Sequence, residues 1–256
     1  MTADLPVRSR PATEPTHGLA RSVALLRAFR VEQTDPERFY SLLARDTVRQ
    51  VARHADLAGA RVLDVGGGPG YFGDAFRAAG ARYAGVDPDT HEIAARGGPA
   101  EGFVRGSGLA LPVVDDAVDV CLSSNVLEHV PQPERMAREM LRVVRPGGLV
   151  WLSWTTWLSP WGGHETAPWH YLGGRFAADR YERRHGRRPK NDYGRSLFPV
   201  SAARMTRWAR AADRAGDAVL VDVRARYHPD WAAGVARVPL LREVASWNVL
   251  LVLRRP

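Results

Sequence analysis

"VLDVGGGPGYFG", Val62 to Gly73, decides how the rest of the chain is read. A short apolar run carrying Asp64 enters a turn with glycine at positions 66, 67, 68 and 70, followed by the aromatic pair Tyr71-Phe72. Without a Cβ, such backbone can approach a ligand closely, and the N–H groups at the start of a following helix attract an anionic group. Two registers fit the turn. Gly68-Pro69-Gly70-Tyr71-Phe72-Gly73 matches the G-x-G-x-x-G dinucleotide loop, whereas Asp64 followed by Gly66 to Gly70 matches a loop preceded by an acidic strand end. The first register begins three residues beyond the strand and places Pro69, which has no N–H, among the phosphate-binding positions.

Outward from this turn, short apolar runs alternate with helical patterns, the signature of a doubly wound parallel sheet. "RVLDV", "RYAGVD", "GFVRG", "AVDVCLSS" and "GGLVWLSW" read as the first five strands, and "AVLVDVRARY" and "WNVLLVLRR" as the last two. "YFGDAFRAAG", a short segment around Thr90 to Arg96, "PERMAREMLRVV" and "RMTRWARAADRAG" read as helices, and "WAAGVARVPLLREV" as an interrupted one. Upstream, "LARSVALLRAFR" and "DPERFYSLLARDTVRQVARHADL" read as two helices, the second capped by Asp35-Pro36. The expected class is α/β, a Rossmann-like seven-stranded, mostly parallel sheet with helices on both faces, an N-terminal helical cap and an insertion after strand five. Residues 1–18 read as a disordered leader and 19–256 as one domain. Its expected parts are N-terminal helices (19–58), a cofactor-binding half (61–154), a substrate-side insertion (155–215) and C-terminal strands (216–256).

In such a sheet, ligands bind beyond the carboxyl ends of the strands. Asp87 ends the second strand, 21 residues after Gly66, where a carboxylate can accept both hydroxyls of a ribose. Together with "GSGLALPVVDDAVDVCLSSNVLEHV" and "EMLRVVRPGGLVWLS", these motifs make the stretch from about Arg61 to Trp154 resemble the class I S-adenosylmethionine-dependent methyltransferases, in the small-molecule branch labelled methyltransferase type 11. The resemblance implies S-adenosylmethionine as cofactor. It places Gly66, Gly67, Gly68 and Gly70 against the methionine portion, Asp64 near its ammonium group, Asp87 on the ribose and Pro88 beside the adenine. Ser107, where the family usually has an acidic residue, Gly108 and Leu109 would wall the adenine, and Ser123 and Asn125 would line the cofactor near the methyl group. The sulfonium is itself a strong methyl donor, so the protein mainly aligns the acceptor for in-line transfer and excludes water. A general base is needed only where the acceptor must lose a proton. His129 in "LEHV" and His164, Glu165 and His170 in "GGHETAPWHY" are the candidates, with a structural histidine as the alternative at His129. His164, Glu165 and His170 have the spacing H-E-x-x-x-x-H with a proline inside it, not H-E-x-x-H, so no metal is expected there.

The chain has 256 residues and a net charge of +8. All of that excess falls between Arg175 and Arg214, where twelve basic residues face four acidic ones. Five of the eight tryptophans (Trp151, Trp154, Trp157, Trp161 and Trp169) lie just before it. Trp151 and Trp154 are expected to pack strand five, and at least one of the other three to contact an acceptor. An aromatic pocket with a basic rim suits a small-molecule or lipid-like, anionic acceptor and peripheral membrane contact. No nucleic-acid module is recognisable. Cys121 is the single cysteine and the leader has no secretory core, so a cytoplasmic location is expected. Two rival functions are an NAD(P)-dependent oxidoreductase, from the Gly68 to Gly73 register, and a non-catalytic, membrane-associated protein that keeps the methyltransferase fold.

Overall fold

The apolar runs alternate in the side chains they send to each face, and that alternation builds a sheet covered on both sides. A computed structural model describes residues 16–32, 34–95 and 101–256. Most of the expected leader, and Arg96 at the end of the expected short helix, lie outside them. The strands are β1 (Arg61–Val65), β2 (Arg82–Asp87), β3 (Phe103–Arg105), β4 (Val118–Ser124), β5 (Val144–Thr155), β6 (Val219–Ala225) and β7 (Asn248–Arg254). They form one sheet in the order β3-β2-β1-β4-β5-β7-β6, with β7 antiparallel to both of its neighbours and the other pairings parallel. The order reverses between β1 and β4, the switch point at which this architecture opens a crevice.

Helices cover both faces. On one, α1 (Gly18–Phe29), α2 (Pro36–Val51) and α3 (Tyr71–Ala78) bury Leu25, Phe39, Leu43, Phe72 and Phe76 against Val62, Val120, Leu122 and Trp151. On the other, α5 (Pro133–Val143) and α7 (Ala202–Ala215) bury Met136, Met140, Met205 and Ala209 against Leu63, Cys121, Leu152 and Trp154. Trp151 and Trp154 therefore pack β5 on opposite faces, both fully buried, as the period of two requires. A short α4 (Thr90–Ala94), α6 (Gly174–His185) and α8 (Leu241–Val244) complete the helices named here.

Two boundaries differ from expectation. Val144 begins β5 instead of closing α5, and the strand register shifts between Val118 and Val120 before regular pairing resumes at Leu149. Gly148 permits this, because a Cβ there would stand 2.7 Å from the Asp119 carbonyl oxygen. The helix α7, expected as part of the insertion, packs into the core beside β6.

The N-terminal helices and the insertion meet over the start of α3. Asp35 caps α2 by accepting the Arg38 N–H at 3.1 Å, and Pro36 occupies its first turn. Tyr40 of α2 stacks on Tyr71 of α3 with centroids 5.1 Å apart, and Phe29 of α1 meets Trp161 of the insertion at 5.2 Å. Farther along the insertion, Lys190 reaches across to Glu92 of α4 at 2.8 Å. Among the described residues, no helix is long and apolar enough to cross a membrane.

Candidate active site

β1 delivers Asp64 and the glycine loop to the switch point. Gly66 has φ +81°, and a Cβ there would stand 2.4 Å from Val126 Cγ2, so both backbone and space demand glycine. Gly68 also has positive φ, +48°, but nothing lies within 4 Å of its Cβ position. Space is open there for a ligand to approach. Gly70 caps α3, and its N–H bonds the Gly67 carbonyl at 3.0 Å. Gly73, which completes the dinucleotide register, lies inside α3 with its Cβ position 3.1 Å from the Tyr83 ring. It faces packed protein and not the crevice.

Two carboxylates flank the loop. Asp64 is buried and accepts the Tyr83 hydroxyl at 2.5 Å. Burial raises its pKa to about 7, against the lowering effect of that hydrogen bond. Asp87 ends β2 with one oxygen accepting the Gly68 N–H at 3.0 Å and the other accepting the Asp89 N–H at 2.9 Å. Burial raises its pKa too, opposed by those two amides. No local pattern marks the partnership of Tyr83 with Asp64 or the Gly68-to-Asp87 bond.

The remaining residues expected around the cofactor are placed as follows. Pro88 is exposed next to Asp87. The Ser107 hydroxyl accepts the Leu109 N–H at 3.2 Å, which makes it a turn former. Gly108 lies against Val65 and Met136, and half-buried Leu109 packs on the core. Ser123 is fully buried and donates its hydroxyl to the Val65 carbonyl at 2.8 Å, so it joins β4 to the end of β1. Asn125, with φ +59°, is held by Asn248 Nδ2 at 2.7 Å and by the Tyr227 hydroxyl at 3.1 Å. Beneath them lies Arg226, 1% exposed, donating to Ser124, Ser153 and Thr47 at 2.7–2.8 Å and standing over the Trp151 ring. Arg226 and Tyr227 follow β6 in a position that no local spacing marks.

Of the four candidate proton acceptors, the structure brings two together. The His129 and His164 rings lie 5.1 Å apart, beside the buried carboxylate of Glu128. His129 Nδ1 donates to the Ser196 carbonyl at 2.7 Å. Burial, reinforced by the neighbouring His129, lowers the pKa of His164 to about 4, so this imidazole is neutral at pH 7. Glu165 is exposed and accepts from Asn191 at 3.0 Å. His170 is buried, bonds the Ser159 carbonyl at 3.2 Å and packs against Trp157 and Tyr171. Neither Glu165 nor His170 joins the Glu128, His129 and His164 group.

The insertion presents exposed Trp161 and Trp169. Arg180 lies over the Trp169 ring at 4.0 Å, in an open groove of about 150 Å³ that Tyr181 and Arg184 also line. Three acids of this segment, Asp179, Glu182 and Asp192, converge on Arg188.

Residues 63–152 match the family model described as a methyltransferase domain. A protein of Mycolicibacterium vanbaalenii named "Uncharacterized methyltransferase" is 57% identical over 246 residues, covering 92% of this chain and 94% of its own. A protein of the same name from Mycobacteroides abscessus is 54% identical over 249 residues, with the same coverage. Among solved structures, an S-adenosylmethionine-dependent methyltransferase from Mesorhizobium loti is similar in fold, with a TM-score of 0.56 at 19% identity over 83% of this chain and 98% of that one. With these relatives the oxidoreductase reading falls, and the chain belongs to the class I S-adenosylmethionine-dependent methyltransferases.

Proposed function

We propose that the chain binds S-adenosylmethionine at the switch point and transfers its methyl group to a small-molecule or lipid-like acceptor that enters from the insertion side. The observation that carries the cofactor assignment is the pair of buried carboxylates, Asp64 and Asp87, on either side of a glycine loop whose Gly68 faces open space. Asp87 keeps lone pairs for the ribose hydroxyls in addition to its two backbone bonds. Asp64, freed of its proton, balances the ammonium of the methionine portion. In this reading Gly67, Gly70, Pro88, Gly108 and Leu109 shape the walls, while Ser123 and Asn125 support them from below.

The acceptor class follows from the cover. Trp161 and Trp169 are exposed aromatic surface, and the arginines of α6 surround the groove beside Trp169. That combination favours an acceptor with an apolar body and an anionic group. Where the acceptor must lose a proton, His129 is the better placed base, because burial makes His164 weakly basic. Peripheral membrane contact is part of the same reading, and the exposure of Trp231 and Leu240, each more than four-fifths exposed, supports it.

The decisive experiment incubates the protein with methyl-labelled S-adenosylmethionine and a cell extract and identifies the labelled product. A labelled apolar or anionic small molecule or lipid supports the reading; label only in protein or nucleic acid defeats the acceptor assignment. Co-sedimentation with anionic vesicles at low and high salt tests the membrane contact, and no binding at low salt removes it.

A further inference from the structure

Three side chains from two distant segments converge at the carboxyl ends of β4 and β5. Glu128 and His129 lie in the 3-10 turn after β4, and His164 begins a 3-10 turn of the insertion. One ligating atom of each lies within 4.8 Å of the other two. Of their other polar atoms, Glu128 Oε1 and His129 Nδ1 are already engaged. The Thr155 N–H donates to Glu128 Oε1 at 2.9 Å, while Oε2 is buried without a partner. His129 Nδ1–H donates to the Ser196 carbonyl, the outer bond that fixes a ligating imidazole and leaves its Nε2 lone pair available. His164 Nε2 is buried without a partner, and its backbone sits at φ +46°, a conformation that non-glycine residues adopt only when the surroundings impose it.

The geometry points to a three-ligand site for a divalent first-row transition ion of the zinc type, formed by Glu128, His129 and His164, with its remaining position open. Two imidazole nitrogens and one carboxylate oxygen suit zinc, and three protein ligands with an open fourth position are the pattern of catalytic zinc sites. Bonds of about 2.0–2.1 Å put tetrahedral donors about 3.4 Å apart. The side chains therefore close by up to about 1.4 Å on binding, a small torsional adjustment at the ends of the rings and the carboxylate. A proton shared between the two histidines accounts for their ring contact but leaves Glu128 Oε2 buried and unpaired. An ion satisfies all three atoms at once. The site is absent from any local motif because its ligands are 35 residues apart. It stands whether or not methyl transfer does; with the ion bound His129 is a ligand and not a base, and the open position would take an oxygen or nitrogen of the acceptor, or a water that replaces the imidazole as proton acceptor.

The test uses the full chain, stripped with a chelator and titrated with Zn²⁺ against a chromophoric competitor, and separately with Co²⁺ followed by visible absorption. One ion per chain is expected, with the intense bands of four-coordinate Co²⁺. Glu128→Gln and His164→Ala should each weaken the affinity at least tenfold, and exposed Glu165→Gln should leave it unchanged. Circular dichroism and melting of each variant without metal check the fold, and Glu128→Gln, which keeps the side-chain shape, carries the test if His164→Ala does not fold. No stoichiometric site in the wild type, full affinity in both variants, or equal loss in Glu165→Gln overturns the inference. S-adenosylhomocysteine affinity, measured on the same samples, separates failure of the ion site from failure of the cofactor reading.

Discussion

The Asp87 carboxylate accepts the Gly68 N–H at 3.0 Å, tying the end of β2 to the glycine loop at the switch point. In the proposed reading the same side chain also holds the ribose, so it would both shape the loop and bind through it. Replacement by alanine should weaken S-adenosylhomocysteine binding by roughly 10- to 150-fold, the equivalent of about 1.5–3 kcal/mol for hydrogen bonds to a charged group. Isothermal calorimetry checks this, and unchanged affinity removes the ribose assignment.

Gly66 and Gly68 should respond differently to alanine. At Gly66 the new Cβ meets Val126 and the left-handed backbone is strained as well, so a loss of about 2–5 kcal/mol in urea unfolding is expected. At Gly68 only the conformational cost of about 1–2 kcal/mol applies, because the space is open. Cofactor affinity should nevertheless fall in Gly68→Ala, since the methyl group occupies the approach to the loop. Retained affinity would mean that the ligand does not come near Gly68.

The folded-state pKa of Asp64, about 7, lies above its ordinary value of 3.8. A group shifted upward binds more protons folded than unfolded, so its contribution is complete below about pH 3.8 and is lost as pH rises through 7. Tyr83, Asp87 and Arg226 are the groups that act on it. The ligand-free protein should therefore melt lower at pH 8 than at pH 6, and Asp64→Asn should flatten that difference. S-adenosylhomocysteine, with its ammonium group, should bind the wild type more tightly as pH rises over the same interval. Parallel melting curves for wild type and Asp64→Asn would show that Asp64 does not titrate there.

Arg226 ties α2, β4 and β5 together through Thr47, Ser124 and Ser153. Removing a buried charged group that satisfies several partners leaves those hydroxyls unpaired, so Arg226→Ala should lose about 3–5 kcal/mol. Arg226→Lys should recover only part of this, because an ammonium on a flexible stem cannot reproduce the planar fork. Chemical denaturation of both variants provides the measurement, and full recovery by lysine would show that charge alone matters.

Much of this architecture can be read along the chain. The alternation in "LVWLSW" predicts that Trp151 and Trp154 enter opposite faces of the sheet, and Asp35-Pro36 marks the start of α2. The start of β5 is less legible, since Val144 continues the apolar face of α5 and only the pairing with Val118 makes it strand. In the site, the sequence points to Asp64, the loop and Asp87. It gives no sign that the Ser123 hydroxyl is spent on Val65, that Ser107 serves its own turn, or that Tyr227 holds Asn125 while Arg226 holds the neighbouring Ser124.

Local pattern determines the order of strands and helices along the chain, because these depend on side-chain periodicity within a few residues, whereas two registers of the glycine loop fit the local pattern and Asp87, 21 residues after Gly66, favours the one with the acidic strand end. The company each polar group keeps is settled by tertiary structure. His164 meets Glu128 and His129 while its sequence neighbours Glu165 and His170 turn to other partners, because the path of the insertion over the sheet, and not spacing along the chain, sets which donors share a buried volume.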